Sequence, residues 1–214
     1  MNKLPDSISL RPLVQEDISA VARIHLAAFP KRALSVLGEE SVRRYYEWLL
    51  LGPHEAYRIG AFIDGQLAGF CFGGKFNGAL SGFLRKNQDY LRRYLFTHPW
   101  LLFSSIVRQR IRLVLRLKKR KPANNQTPEA VVAKKKSFGI LAIAVSPHFQ
   151  KQGVGRRLME EMERVAMAEG FTHMNLSVAK DNHTAIHFYG SLGWVKIFDD
   201  GGKWHGSMSK ELVG

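Results

Sequence analysis

The chain has 214 residues, 45% of them hydrophobic and 11% aromatic, with one cysteine and a formal net charge of +14. That composition excludes a disordered chain and a disulfide scaffold, and its length suits one domain with a buried core. Fifteen Lys and Arg residues against two acids lie between Leu80 and Lys136, so this segment holds nearly the whole charge excess.

Met1 to Leu10 has no apolar signal core, and the lone Cys71 fits a reducing compartment, so the expectation is a cytoplasmic protein. Ile8 to Val14 reads as a strand. Glu16 to Phe29 has Ile18, Val21, Ala22, Ile24 and His25 at helical spacing and stops at Pro30. Glu39 to Leu51 is a second amphipathic helix, ended by Gly52-Pro53. Tyr57 to Ile63 and Leu67 to Phe72 are strands joined through Asp64-Gly65, a hairpin signal.

The basic segment then interrupts the pattern. Phe83 to Phe96 and Trp100 to Leu117 read as helices separated by Pro99, and Lys118 to Ser137 reads as a polar, charged loop. Gly139 to Val145 is an apolar strand, Gly153 to Glu169 a helix closed by Gly170, and Met174 to Val178 a strand. Asn182 to Leu192 is a helix, and Trp194 to Phe198 with Ser207 to Leu212 forms a hairpin around Asp199 to Gly202. This order predicts one α/β domain over residues 1–214, with a helical and loop insertion at about 76–136.

The chemistry concentrates at Gln150-Lys151-Gln152-Gly153-Val154-Gly155, where a strand ends and a helix begins. A helix start offers free N–H groups and a positive dipole end, and glycines let the backbone approach an anion. Lys151, Arg156 and Arg157 add positive charge. The turn lacks the Gly-Lys-Ser/Thr of a P-loop and the third glycine of a dinucleotide turn, so by itself it marks only a phosphate cradle.

The surrounding residues narrow it. Ile143-Ala144-Val145 precedes the turn; about thirty residues later stand Asn182, Ala185, Phe188 and Tyr189, then Gly193-Trp194. This pattern resembles the GNAT acetyltransferase superfamily, with its Gln/Arg-x-x-Gly-x-Gly/Ala turn and later Asn-x-x-Ala-x-x-Phe-Tyr. The resemblance is close over Phe138 to Leu212, and over Ile8 to Gly74 it extends only to element order.

The resemblance implies a mixed, mostly antiparallel sheet with splayed central strands, acetyl-CoA as cosubstrate, and no metal. It implies that Gln150, Lys151, Gln152, Gly153, Val154, Gly155 and Arg156 hold the pyrophosphate of CoA. Ile143 and Val145 would pair with the pantetheine arm as an added strand would. Asn182 would hydrogen-bond the cofactor, and Tyr189 would protonate the departing thiolate; Phe188 reads as core packing. Many relatives carry a glutamate where this chain has Ser177, so the general base is unassigned among His25, Glu47, His54, His183, His187 and His205.

The expected reaction is acetyl transfer to a primary amine, a small amine or amino sugar, by direct attack. Protein N-terminal or lysine acetylation is the alternative, as is a silent module of this fold that binds membrane or nucleic acid. The basic segment reads either as a solvated helical hairpin covering one face of the domain or, from its amphipathic pattern with Trp100 and Phe103, as a contact for an anionic membrane surface through residues 83–121 or for an acidic small molecule, in preference to nucleic acid.

Overall fold

In a computed structural model the described residues are 8–76, 78–103 and 137–212. They form two compact units. One holds all seven strands and the two helices nearest the C-terminus; the other holds the remaining helices.

The sheet unit is built from β1 (Ser9–Pro12), β2 (Glu55–Ile63), β3 (Gln66–Lys75), β4 (Ser137–Val145), β5 (His173–Ser177), β6 (Val195–Phe198) and β7 (Trp204–Glu211). The strand order is β1-β2-β3-β4-β5-β7-β6. Every neighbouring pair is antiparallel except β4 and β5. Asp64 and Gly65 both have positive φ (50° and 75°), the backbone that a two-residue hairpin with the right strand twist requires.

Two helices complete this unit, α6 (Val154–Ala168) and α7 (His183–Ser191). Val154, Leu158, Met159, Met162, Val165 and Ala166 of α6 are buried, as its 3.6-residue apolar stripe demands. They join Cys71, Phe138, Ile140, Met174, Leu176, Tyr189 and Met208 in one core cluster. On β5 and β7 the burial alternates, so Asn175, Ser177, Ser207 and Ser209 project to the other face.

β4 and β5 pair only from Ser137↔His173 to Ile140↔Leu176. One residue later, the register of β4 against β3 shifts: Ile140 opposes Gly73 and Ala142 opposes Phe72, leaving Leu141 as the extra residue of a bulge. A bulge bends its strand and raises the local twist. β5 instead stays with β7, as the Val178 amide donates to the Gly206 carbonyl at 2.7 Å. The central strands therefore separate, and residues 141–145 of β4 face no described strand on the β5 side.

The helical unit contains α1 (Ile18–Ala28), α2 (Ala33–Val36), α3 (Gly38–Leu51), α4 (Ala79–Lys86) and α5 (Gln88–Thr97), with a 3-10 turn at Pro99–Phe103. α1 packs on α3 through fully buried Val21, Ala22, Val42, Tyr46 and Leu49. The helix expected over Phe83 to Phe96 is two helices. Buried Asn87 sends both its amide N–H and its side-chain Nδ2 to the Phe83 carbonyl (3.0 Å each), closing α4. The short α2 has no signal in the sequence reading, being a single helical turn of four residues. Most of the helix expected over Trp100 to Leu117, and the loop expected to follow it, lie outside the described residues.

Candidate active site

The glycine turn sits beside the point where the central strands part. After β4, a 3-10 turn at Pro147–Phe149 leads to Gln150, and α6 starts at Val154 with Gly153 as its N-cap residue. Gly153 has φ 84°, a left-handed conformation that side chains resist, and a Cβ there would meet nothing within 4 Å. The glycine is thus required by the backbone and leaves open space in front of the helix start. Lys151 also has positive φ (63°), a strain of about 1–2 kcal/mol for a residue with a Cβ. Fully buried Leu158, Met159 and Met162 contribute about 1.5–3 kcal/mol each, so the packing of α6 outweighs that strain.

The first intrahelical bond here runs from the Arg157 amide to the Gly153 carbonyl (3.0 Å). The amides of Gly153, Val154, Gly155 and Arg156 precede it, and a helix leaves such groups without intrahelical partners. Val154 is buried through its side chain, while Lys151, Gln152, Arg156 and Arg157 are exposed. Gln150 donates its side-chain amide to the Val145 carbonyl at 3.4 Å, and Gln152 to the His148 carbonyl at 3.1 Å. These side chains brace the turn, while its amides and cations stand ready for an anion. Such a cradle fits a pyrophosphate.

Gly155 serves differently. A Cβ on it would lie 3.3 Å from Phe188 Cζ and 3.7 Å from Val145 Cγ2, so the turn closes down on the Phe188 ring. Phe188 is half-buried and joins the core cluster, the packing role read from the sequence. Ile143 and Val145 lie on the stretch of β4 that faces the gap.

Asn182 accepts a bond from the Ala185 amide at 3.1 Å, capping α7. The helix it starts carries Tyr189, 8% exposed, with its ring 6.1 Å from that of Trp194. Burial, and secondarily the thiol of Cys71, pushes the Tyr189 phenol well above its ordinary range. It therefore stays protonated at neutral pH: a proton donor, not a base.

The candidate bases separate clearly. His25, Glu47 and His54 belong to the helical unit. His25 is buried, shares a 2.8 Å hydrogen bond with the Tyr46 hydroxyl, and is lowered by burial to about 4. Glu47 faces Arg43 at 3.6 Å, and His54 packs edge-on against Trp48. His183 and His187 are exposed on α7.

His205 has a distinct arrangement. It lies on β7 just beyond the Ser177↔Ser207 pair, at the splayed end of the sheet and on the face opposite the core. Its Nε2 is 2.8 Å from Asp199 Oδ2. The other oxygen of Asp199 accepts from the amides of Lys203 (2.8 Å) and Gly201 (3.1 Å). These backbone bonds, then His205, hold the Asp199 carboxyl below its usual range, so it remains a carboxylate facing the imidazole. By sequence Asp199 is a turn residue only; its pairing with a histidine six positions later depends on the hairpin closing.

Among the described residues, no group of three or more His, Cys, Asp or Glu stands together as a metal site. No described helix is long and apolar enough to cross a membrane.

Comparison with known proteins bears on the family and the fold. The family model described as "Acetyltransferase (GNAT) family" matches residues 114–194. PaiA N-acetyltransferase from Thermoplasma acidophilum, solved with coenzyme A, superposes with a TM-score of 0.57 at 14% identity, covering 96% of this chain and 99% of that one. The ribosomal-protein-S18-alanine N-acetyltransferase of Escherichia coli gives 0.56 at 15% identity, covering 97% and 96%. YncA of Salmonella typhimurium, solved with acetyl-CoA, gives 0.55 at 16% identity, covering 98% and 96%. At these identities the structural likeness is one of fold.

Proposed function

Since the chain belongs to the GNAT superfamily of acetyltransferases, we propose that it transfers the acetyl group of acetyl-CoA to the primary amine of a small, polar acceptor by direct attack. The observation that carries this reading is the gap between β4 and β5, opening at the Leu141 bulge with the start of α6 beside it.

In this reading the amides of Gly153 to Arg156, with Lys151 and Arg156, hold the pyrophosphate. The pantetheine arm lies along Ile143 to Val145 as a strand would, filling the unpaired side of β4. Acetyl-CoA supplies an acyl carbon activated by its thioester. Tyr189, from the core face, donates a hydrogen bond to the sulfur as negative charge builds there. A phenol shifted upward by burial releases its proton late, as the C–S bond breaks.

The leaving sulfur is served from the core face, so the amine attacks from the other. That face carries Asn175, Ser177 and Ser207, and His205 oriented by Asp199. His205 takes one proton from the incoming ammonium, the neutral amine nitrogen bonds to the acyl carbon, and as the C–S bond breaks the nitrogen releases its second proton to solvent. Tyr189 passes a proton to sulfur, and solvent restores both side chains. Hydroxyl and amide groups on this face suit a polar acceptor such as an amino sugar.

Calorimetric titration of the full chain with acetyl-CoA tests the donor, and a thiol-release assay over amino sugars, polyamines and peptides tests the acceptor. No heat of binding sinks the enzyme reading. Turnover on peptides alone sinks the small-acceptor reading and leaves the donor site standing.

A further inference from the structure

The helical unit carries a surface that neither the donor site nor the proposed chemistry uses. On α5 and the turn after it, Phe96 is 88% exposed and Trp100 is 60% exposed. α5 buries none of its residues. Four exposed cations belong to the same stretch: Arg85 and Lys86 at the end of α4, and Arg92 and Arg93 on α5. Arg92 and Arg93 precede Phe96 by four and three residues, which puts them on its side of the helix. Asp89, 3.5 Å from Arg92, is the one acid on α4 or α5.

The aromatic rings beneath are already occupied by one another. Tyr90 and Tyr94 pack at 5.8 Å, Tyr94 stacks on His98 at 4.2 Å, and His98 meets Trp100 edge-on at 4.9 Å. The Arg44 guanidinium covers Tyr90 at 4.4 Å. This ladder stiffens the segment, holding Trp100 at the end of a fixed spine. It also engages the Tyr90, Tyr94 and His98 rings with one another, so they do not form a platform on which successive nucleic-acid bases would stack. What remains outward is a phenyl, an indole and a set of cations. That combination matches the boundary between acyl chains and anionic headgroups, where indole rings sit and cations meet phosphate.

We propose that Phe96 and Trp100, with Arg85, Lys86, Arg92 and Arg93, dock this protein peripherally on an anionic lipid bilayer. The aromatic side chains insert at headgroup depth, and the cations supply attraction that falls with salt.

Co-sedimentation of the full chain with phosphatidylcholine vesicles, with and without phosphatidylglycerol, tests it. Binding to the anionic vesicles is expected to be at least about tenfold stronger and to weaken as salt rises. Arg92→Gln with Arg93→Gln should weaken it by about an order of magnitude. Phe96→Ser with Trp100→Ser should reduce it comparably, with acetyl-CoA affinity unchanged as the sign of an intact fold. If that pair fails to fold, Phe96→Ser alone is read, since that side chain is nearly fully exposed. Equal binding to neutral and anionic vesicles overturns the proposal. So does anionic binding indifferent to both pairs of changes. Binding of single-stranded oligonucleotide that is lost with Phe96 and Trp100, without vesicle binding, assigns the surface to nucleic acid and overturns it as well.

Discussion

Gly155 faces Phe188 across the start of α6: a methyl group on the glycine would lie 3.3 Å from the end of the phenyl ring. Two helices distant in sequence thus meet at a position where even a methyl group makes the ring give by a few tenths of an ångström. The two glycines of the turn consequently answer to different forces. Gly153→Ala should cost about 1–2 kcal/mol through its left-handed backbone alone, as its Cβ would meet nothing. Gly155→Val should cost about 1–3 kcal/mol by displacing the ring, and Phe188→Leu in the same chain should return part of it. Urea melts of Gly153→Ala, Gly155→Val, Phe188→Leu and the Gly155→Val/Phe188→Leu double variant check this, with non-additivity expected for the double variant.

Tyr189→Phe removes the proposed proton donor while keeping the ring in the core. The expected result is a fall in kcat of about 100-fold or more with little change in acetyl-CoA affinity. Steady-state kinetics beside calorimetry separate the two. Equal losses in affinity and rate would assign the hydroxyl to binding instead.

His205→Gln and Asp199→Asn probe the opposite face. Both should lower kcat by roughly 10- to 1,000-fold, the histidine change the more, with little change in acetyl-CoA affinity. Asp199→Asn retains the turn's backbone bonds to Oδ1 and removes only the charge facing the ring. An unaltered kcat in both variants would return the role of base to water.

His25 makes stability depend on pH. Burial lowers it from 6.5 to about 4, so between those values the unfolded chain binds more protons than the folded one. Its contribution is fully present above about pH 6.5 and is lost as pH falls towards 4, by up to about 3 kcal/mol. Urea unfolding measured across that range should slope upward with pH, and His25→Asn should flatten the difference.

Much of this protein was legible in its sequence, because the deciding forces were local. Apolar residues spaced 3.6 apart marked α1, α3 and α6, and alternation with Asp64-Gly65 marked the β2–β3 hairpin. The two glycines before a basic helix start marked an anion cradle, since helix ends leave amides free wherever they occur. Asn87 shows the limit: no spacing rule announces that one buried side chain will divide a helix.

What only the tertiary structure decided are relations between strands and turns far apart in the chain. The sequence determined that β4 and β5 are strands; the bulge at Leu141 and the pairing of Val178 with Gly206 decided that they part after Ile140. Likewise the sequence offered His205 as one histidine among several, and closure of the β6–β7 turn brought Asp199 to it. The physical reason is common to both. Secondary structure follows from each residue's own neighbours, whereas a gap or a charge pair exists only once distant backbone segments have been fixed in register.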